Sequence, residues 1–212
     1  MTQGGALREK IIISLCGGTG AWERPYLEAG YDVRLITLPE QDVVTYVPPE
    51  NVYGILAAPP CTMFSLARNP YDNDPRVKPR DFAAGMNSVN ACMRIIFQCQ
   101  DSLAFWVLEN PVGLLSKFLS KPLYTFEPWW FDGIENWSKR TALWGKFNIP
   151  QRRYFVYEDR ADAYNVRIRC KKRYSLRKSK IPSIADITCG GQSEKRAITP
   201  SGFARAFYEV NQ

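Results

Sequence analysis

Short continuous runs of β-branched and other apolar residues recur along the first half of the chain and predict buried parallel strands. These runs occupy residues 10–15, 32–38, 51–57 and 104–108. The first run leads into a glycine-rich turn at 16–20 and a helical stretch at 21–29 that Gly30 ends. A strand, a glycine turn, a helix and a second strand make a βαβ unit. The pattern therefore predicts an α/β fold, with helices on both faces of a largely parallel sheet.

Apolar residues spaced by three and four between positions 81 and 100 predict a long amphipathic helix. Asp81 fits its N-cap, and Cys92 and Cys99 fall on its packed side. Thr199 and Pro200 fit the N-cap and the first position of a final helix at 201–210. The remaining predicted elements are a surface loop at 66–80, a short helix at 112–118, and strands within 123–137, at 139–144 and at 154–157.

Composition removes several kinds of chemistry from consideration. The 212-residue chain contains no histidine, so a Ser-His-Asp triad is excluded and acid–base work falls to carboxylates, Lys, Tyr or water. Its six cysteines are scattered, which predicts no zinc site and, in a reducing compartment, free thiols. No apolar run approaches the ~20 residues of a membrane span, and residues 1–10 do not resemble a signal peptide. The expectation is a cytoplasmic protein without a bound metal.

Charge is concentrated in one segment. The chain carries a net charge of +7, and residues 151–180 alone contain eleven Lys or Arg and three Asp or Glu, a local charge of +8. A basic segment of this kind favours a polyanionic partner, with phosphate contacts that give mostly sequence-independent affinity. The alternative is a basic face that is simply solvated.

Two of the predicted strands end in a proline turn with a reactive side chain beside it. Pro59-Pro60-Cys61 follows the run 51–57, and Glu109-Asn110-Pro111 follows the run 104–108. If these strands are parallel neighbours, the Cys61 thiol and the Glu109 carboxyl share one edge of the sheet, where open α/β sheets bind ligands. A thiolate can add to C6 of a pyrimidine while an acid hydrogen-bonds at N3, and C5 then accepts a methyl group. Taken alone, Cys61 also suits a small buried residue in a tight turn.

With both strand ends in view, the chain resembles the cytosine-C5 DNA methyltransferases, specifically the short type of bacteriophage and prophage genomes. Five segments in the family's order carry the resemblance. They are Ser-Leu-Cys-Gly-Gly-Thr-Gly at 14–20, Gln-Asp-Val at 41–43, Pro-Pro-Cys-Thr-Met-Phe-Ser at 59–65, Leu-Glu-Asn-Pro at 108–111, and Ile-Thr-Pro-Ser-Gly-Phe-Ala-Arg-Ala-Phe at 198–207. The resemblance implies a Rossmann-like class I methyltransferase sheet, Cys61 as the nucleophile and Glu109 on cytosine N3.

The resemblance also implies S-adenosylmethionine as the methyl donor. The residues that it places at this cofactor are Leu15, Cys16, Gly18, Thr19, Gly20, Trp22, Thr37, Leu38, Asp42, Val43, Pro59 and Ser201. Three positions depart from the family pattern. Cys16 replaces an aromatic residue, Ser14 replaces an acid, and Thr37 stands where an acid would bind the ribose. A glycine turn by itself is equally consistent with a tight connection.

For the nucleic acid, the resemblance implies double-stranded DNA from which the target cytosine is taken out of the stack. The family's base-steadying Gln-x-Arg-x-Arg motif is only partly present, because Phe155 follows Arg153 where a second arginine belongs; Arg167 and Arg169 offer another Arg-x-Arg.

The loop that follows Cys61 and the basic segment are the stretches expected to contact nucleic acid. Residues 64–80 suit a lid, although they could equally be an ordinary solvated loop. The residues expected to make these contacts are Ser65, Arg68, Arg76 and Lys78 in the loop, and Lys171, Lys172 and Arg173 in the basic segment.

The expected organisation is a catalytic and cofactor-binding domain at 1–150, a small basic DNA-contacting region at 151–191, and a C-terminal helix at 192–212 that returns to the catalytic domain. So small a recognition region predicts short or relaxed DNA recognition, or recognition shared with a second subunit. The resemblance further implies protection of phage or host DNA from restriction. Two alternatives remain, a catalytically idle relative that binds DNA or a partner, and a C5 methyltransferase acting on RNA or a free cytosine nucleotide.

Overall fold

The computed structural model describes residues 10–175, 180–189 and 193–212. The chain forms two compact units. The first comprises Met1–Thr125 and Thr141–Phe147, and the second comprises Phe126–Arg140 and Asn148–Gln212. The second unit therefore takes residues 126–140, which the sequence assigned to the first segment, and it contains both the basic segment and the final helix.

A six-stranded mixed sheet confirms the expected α/β class. Its strands are β1 (Ile11–Leu15), β2 (Asp32–Ile36), β3 (Val52–Ala57), β4 (Phe105–Pro111), β5 (Tyr124–Phe126) and β6 (Thr141–Lys146). They lie in the order β2-β1-β3-β4-β6-β5. Strands β2, β1, β3 and β4 are mutually parallel, whereas β6 is antiparallel to β4. The four apolar runs of the sequence thus form the predicted parallel strands, and they carry the core of the first unit.

Two helices accompany this sheet. Helix α1 (Arg24–Glu28) ends before Gly30, whose φ of +89° is left-handed and stops the helix as the sequence predicts. Helix α2 (Phe82–Cys99) begins at Asp81, whose side chain accepts a hydrogen bond of 2.9 Å from the Ala84 N–H. Cys92 and Cys99 are buried against the core, which confirms their predicted side of the helix.

The second unit is built around aromatic rings and short helices. Its helices are α3 (Lys171–Ser175), α4 (Ile184–Thr188), α5 (Ser193–Ala197) and α6 (Ser201–Val210). Phe126 stacks on Phe203 of α6 with ring centroids 3.9 Å apart. The buried guanidinium of Arg160 donates to the carbonyl oxygens of Phe131 and Gly133 and pairs with Asp162. These bonds satisfy a charged group that would otherwise be costly to bury.

Several local predictions need correction. Residues 154–157 do not form a strand, because the N–H groups of Arg153 and Tyr154 both donate to the Trp130 carbonyl and the chain turns into a 3-10 helix at Tyr157–Asp159. The loop 66–80 opens with a 3-10 helix at Leu66–Tyr71, and the helix expected at 112–118 is a 3-10 turn at Leu114–Lys117. Pro200, in an extended conformation, is itself the N-cap of α6, so the Thr199 assignment is wrong by one residue.

The cysteines also differ from expectation. Cys170 and Cys189 form a disulfide, which corrects the prediction that all six thiols are free. The N–H groups of Arg169 and Cys170 both donate to the Asp186 carbonyl, and this brings the two cysteines together across a separation of 19 residues. The other four cysteines are free thiols.

Neither a membrane span nor a metal cluster is found in the described ranges. No helix there combines the length and apolar character needed to cross a bilayer. Likewise, within those ranges, no three Cys, Asp or Glu side chains come together in a way that could hold a metal ion.

Candidate active site at the carboxyl edge of the sheet

The carboxyl ends of the four parallel strands are in register with one another, and they form the edge of the sheet at which the candidate site lies. Leu15 of β1 is opposite Ile36 of β2 and Ala57 of β3, and Ala57 is opposite Leu108 of β4. The next residue along each strand therefore emerges at this edge, namely Cys16, Thr37, Ala58 and Glu109. The Cys16 N–H donates to the Ile36 carbonyl over 2.8 Å, and the Ala58 N–H donates to the Leu15 carbonyl over 2.9 Å. These bonds continue the ladder to the edge and fix where the loops begin.

The strand order places a topological switch point at this edge. From β1 the chain adds β2 on one side and β3 on the other, so the connections diverge between β1 and β3. Open α/β sheets bind ligands in the crevice that such a divergence leaves at the carboxyl ends of the strands. The glycine turn after β1 and the Pro-Pro-Cys turn after β3 flank this position.

A buried amide joins the two turns that carry the thiol and the carboxyl. The Asn110 side chain is fully buried, and its Nδ2 donates to the Pro59 carbonyl over 3.0 Å. Further along, the Leu114 N–H donates to the Phe64 carbonyl over 2.8 Å. The segment that contains Glu109 is thus tied twice to the segment that contains Cys61, as the parallel-strand prediction requires.

Cys61 and Glu109 are both half-buried at this edge. The Cys61 carbonyl accepts hydrogen bonds of 2.9 Å from the N–H groups of Phe64 and Ser65, so the chain turns sharply just after the thiol. Glu109 lies in the last part of β4, opposite Leu143 of β6. A thiol in the turn after β3 and a carboxyl near the end of β4 therefore both retain access to solvent.

The glycine turn after β1 leaves its backbone open. Cys16, Gly18 and Gly20 have φ values of 57°, 61° and 73°, all in the left-handed region. A Cβ added to Gly18 would meet nothing within 4 Å, so a ligand can approach the backbone there. A Cβ on Gly17 would instead collide with Ser14 Oγ, which makes glycine necessary on the inner side of the turn.

A buried carboxylate beneath this turn was not predicted from the sequence. Glu23 is 3% exposed, and the Cβ positions built on Gly17 and Gly20 lie 3.3 and 3.5 Å from its Oε1. Within the described part of the chain, no hydrogen bond of standard geometry reaches either carboxylate oxygen of Glu23 or Ser14 Oγ, although the Ser14 hydroxyl lies close enough to influence the carboxylate. Burial raises the pKa of Glu23 more than its own backbone and the nearby Ser14 hydroxyl lower it. The one sequence feature that could have indicated a buried carboxylate here is the position of Glu23 directly after Trp22, which is itself buried.

These orphaned groups fit the cofactor that the resemblance implies. S-adenosylmethionine carries a sulfonium and an ammonium, and a buried carboxylate without a partner is the complement of such a cation. A second carboxylate, Asp42, is exposed in the loop after β2, and its charge partly opposes the lowering of the Cys16 pKa by Cys92. Asp42 also accepts a 2.9 Å hydrogen bond from the Val44 N–H, which holds its side chain.

The other residues expected at the cofactor are distributed around the same edge of the first unit. Leu15, Trp22, Val43 and Pro59 are buried, Thr37 is half-buried, and Thr19 and Leu38 are exposed. The Cys92 thiol donates a hydrogen bond to Cys16 and thereby lowers the Cys16 pKa, while the pKa of Cys92 is raised. Position 16, where the resemblance implies an aromatic residue, therefore holds a thiol beside a second thiol.

The loop after Cys61 is held by its own charges. Arg80 donates to the carbonyl oxygens of Met63 and Ser65 over 2.6 and 3.1 Å and pairs with Asp72. Arg68 donates to the Lys78 carbonyl and lies 3.5 Å from Asp72. The remaining two residues expected to contact DNA here, Arg76 and Lys78, are exposed, and Arg76 pairs with Asp74. The arginines at 68 and 80 order the loop, which leaves Arg76 and Lys78 as its outward charges.

The remaining predicted residues belong to the second unit. Arg153 is exposed and pairs with Asp132 at 3.3 Å, while its neighbour Arg152 lies 3.6 Å from the centre of the Trp130 ring. Ser201 donates from its N–H and hydroxyl to the Glu135 carboxylate, over 2.9 and 3.0 Å. Exposed basic side chains of this unit include Arg167, Arg169, Lys171 and Lys172. The Arg173 side chain lies outside the described part.

In sequence comparisons, the chain matches no family model and no curated protein.

Proposed function

We propose that the protein is an S-adenosylmethionine-dependent DNA cytosine-C5 methyltransferase of the Rossmann-like class I type. The observation that carries the proposal is the placement of Cys61, in the turn after β3, and Glu109, near the end of the neighbouring parallel strand β4, with the two segments joined by the Asn110–Pro59 hydrogen bond. Few reactions need a thiol and a carboxyl together with no histidine. Addition of a thiolate to a pyrimidine ring is one that does.

In the proposed reaction, Cys61 and Glu109 act on the cytosine from the two turns. The Cys61 sulfur forms a bond to C6, and the Glu109 carboxyl donates a proton to N3, so that the electron pair of the ring moves to C5. S-adenosylmethionine supplies the methyl group that C5 accepts. Water then accepts the C5 proton, the electron pair of the C5–H bond returns to the ring, and the bond between C6 and sulfur breaks to release the Cys61 thiolate. Glu109 retrieves the proton from N3, which restores both residues.

Within this proposal, Glu23 and Asp42 hold the positive end of the cofactor at the glycine turn. Glu23 compensates for Ser14, which stands where the family has an acid, because its carboxylate lies beside the Ser14 hydroxyl. Burying a carboxylate without a partner costs folding free energy. A cationic ligand at this position would offset that cost, which is the reason for assigning Glu23 to cofactor binding rather than to packing.

Double-stranded DNA is the proposed partner. The basic side chains of the second unit, together with Arg76 and Lys78 of the loop, would meet phosphates. An extruded base is required because neither C5 nor C6 can be reached by a thiol inside a stacked duplex.

Transfer of label from S-adenosylmethionine to duplex DNA tests the proposal. We expect methylated DNA from the wild-type protein and none from Cys61→Ser. Cys99→Ser is the matched control, because it makes the same change of thiol to hydroxyl in the core and should leave activity intact. A duplex with 5-fluorocytosine at target positions should trap a covalent adduct at Cys61, since fluorine cannot leave C5 as a proton does.

The outcomes also separate the alternatives. Tight DNA binding without label or adduct would identify an idle relative and contradict the proposal. Label that appears in RNA or in free cytidine monophosphate, but not in duplex DNA, would keep the chemistry and change the substrate.

A further inference from the structure

The second unit contains a cavity of about 350 Å³ to which the proposed chemistry assigns no occupant. It is lined by residues of this unit alone, and we refer to it as the Trp137 cavity. Four isoleucines at positions 134, 184, 187 and 198, together with Trp137, supply an apolar interior. Ile134 is 79% exposed and Ile198 is 41% exposed. Apolar surface left open in a cavity of this size is typical of a ligand site.

Hydrogen bonds hold the walls of the Trp137 cavity in place. Ser138, next to Trp137, donates its N–H to the Pro182 carbonyl over 2.8 Å and accepts from the Ile184 N–H over 3.0 Å. Glu135 accepts from Ser201 on the other side. The segment that carries Arg167 and Arg169 forms another wall of the cavity. It is held in place by the Arg169 N–H, which donates to the Asp186 carbonyl over 3.0 Å. The cavity is therefore preformed rather than a gap between loosely attached segments.

The disulfide fastens the same walls. Cys170 directly follows Arg169, and Cys189 directly follows Thr188, and both neighbours line the cavity. The covalent link thus joins the arginine-bearing wall to the end of helix α4. Asp186, fully buried within α4, completes a capping box with Ser183 that fixes the start of this helix.

The charges around the cavity are almost all positive. Five basic side chains line it, at positions 139, 167, 169, 195 and 196, against one carboxylate, Glu135, which is already engaged by Ser201. Among the described residues, Arg167, Arg169 and Lys195 form no ion pair. The occupant should therefore combine a flat apolar body with a strong negative charge.

We infer that the Trp137 cavity binds one unstacked nucleotide of the DNA, with its base against Trp137 and its phosphates on Arg167 and Arg169. An indole ring offers a stacking surface to any base, and a guanidinium matches a phosphate with two parallel hydrogen bonds. An acidic peptide would satisfy the arginines but has no equivalent use for an aromatic wall. The inference rests on the proposed function for the choice of DNA as the polymer.

The test compares two fluorescein-labelled duplexes of equal length, one fully paired and one with a single bulged nucleotide. Fluorescence anisotropy at fixed salt gives the dissociation constant of each. The wild-type protein should prefer the bulged duplex, because its extra base is already out of the stack. Trp137→Ala and Arg169→Gln should each reduce that preference by about tenfold. Trp137→Phe should keep most of it, and its thermal melting should match the wild type.

Lys171→Ala is the matched control, because Lys171 is basic and exposed in the same segment but does not line the cavity. It should weaken both duplexes equally and leave the preference unchanged. Equal losses on both duplexes in Trp137→Ala and Arg169→Gln would overturn the inference, leaving plain phosphate contact or a protein partner as the role of the cavity.

A second readout separates this inference from the proposed function. A 2-aminopurine at the bulged position should be quenched on binding to the wild type and not to Trp137→Ala. Label transfer measured on the same duplex reports the chemistry independently. Cys61-dependent methylation without quenching overturns the cavity inference alone, whereas quenching without methylation supports the cavity and contradicts the methyltransferase proposal.

Discussion

Asn110 donates from its fully buried side chain to the carbonyl oxygen of Pro59, at a distance of 3.0 Å. Pro59 has no N–H to contribute, so the turn that leads to Cys61 depends on its carbonyl groups for attachment. This bond attaches the turn after β3 to the residue that follows Glu109 in β4.

Replacing Asn110 with Ala should affect both stability and activity. Loss of a buried hydrogen bond should lower the free energy of unfolding by about 1–2 kcal/mol, and release of the turn should slow adduct formation with 5-fluorocytosine DNA. Denaturant titration and single-turnover trapping measure the two effects. Ser102→Ala provides the control, since Ser102 donates to the Val52 carbonyl at the opposite end of β3. A comparable loss of stability with unchanged trapping is expected there; trapping that is normal in Asn110→Ala would contradict a positioning role.

Glu109→Gln should preserve binding while removing most of the chemistry. The amide cannot supply a proton to N3, and loss of a general acid typically slows a reaction by about 100- to 10,000-fold. Single-turnover rates and DNA affinity should be measured together, so that a rate effect is not mistaken for weak binding. The control is Glu50→Gln. Glu50 is exposed and lies just before β3 begins at Val52, so this variant should behave as the wild type. An active Glu109→Gln would show that another group protonates the ring.

Glu23→Gln should make the protein more stable and a poorer binder of its cofactor. Burial raises the pKa of Glu23, so the folded protein holds this proton more tightly than the unfolded chain does. The ionised carboxylate therefore destabilises the fold above the folded pKa, and this cost vanishes below the unfolded pKa of about 4.3. The variant should melt at a higher temperature than the wild type at pH 8, with a difference that narrows as the pH falls towards about 4.

The binding side of this prediction uses calorimetry with S-adenosylmethionine. Affinity should fall about tenfold or more in Glu23→Gln, because a hydrogen bond to a charged group is lost. Glu28→Gln, at the far end of helix α1, is the control and should change neither property. If the variant melts at a higher temperature but binds S-adenosylmethionine normally, Glu23 has no role in cofactor binding and affects only the stability of the fold.

Reduction of the Cys170–Cys189 disulfide should loosen the Trp137 cavity. Opening a loop of 19 residues should cost about 3 kcal/mol of stability, and the arginine-bearing wall should lose its covalent anchor. Dithiothreitol should lower the melting temperature of the wild type but not that of a Cys170→Ser/Cys189→Ser variant. If the reductant leaves wild-type melting and binding of the bulged duplex unchanged, the walls are held by hydrogen bonds alone.

The sequence predicts the edge of the sheet well because each signal is local. Each of the apolar runs 51–57 and 104–108 is followed within a few residues by the side chain of interest, Cys61 or Glu109. Parallel pairing of β3 with β4 is then enough to bring the two segments to the same end of the sheet. The buried position of Glu23 was not predicted, since an acid at the start of a helix ordinarily faces solvent. Its environment depends on Ser14 and Gly17, which approach it only once the chain has folded.

The features of the second unit depend on long-range contacts that a sequence pattern does not contain. Ser138 is bonded to Pro182 across more than forty residues, and this pairing moves residues 126–140 out of the segment to which they were assigned. The pairing of Cys170 with Cys189 follows from the Asp186 carbonyl rather than from any cysteine spacing. Tyr154 lacks a strand partner for the same reason, because its N–H is taken by Trp130.

Strand β6 belongs to the first unit, although the chain reaches it from one segment of the second unit and leaves it into another. The second unit is therefore not a cassette that can be exchanged at a single junction. A truncation at residue 125 would strip β4 of its antiparallel neighbour and leave Glu109 on an open edge. Replacement of the second unit, in evolution or in the laboratory, would have to exchange two separate stretches while preserving Thr141–Lys146 between them.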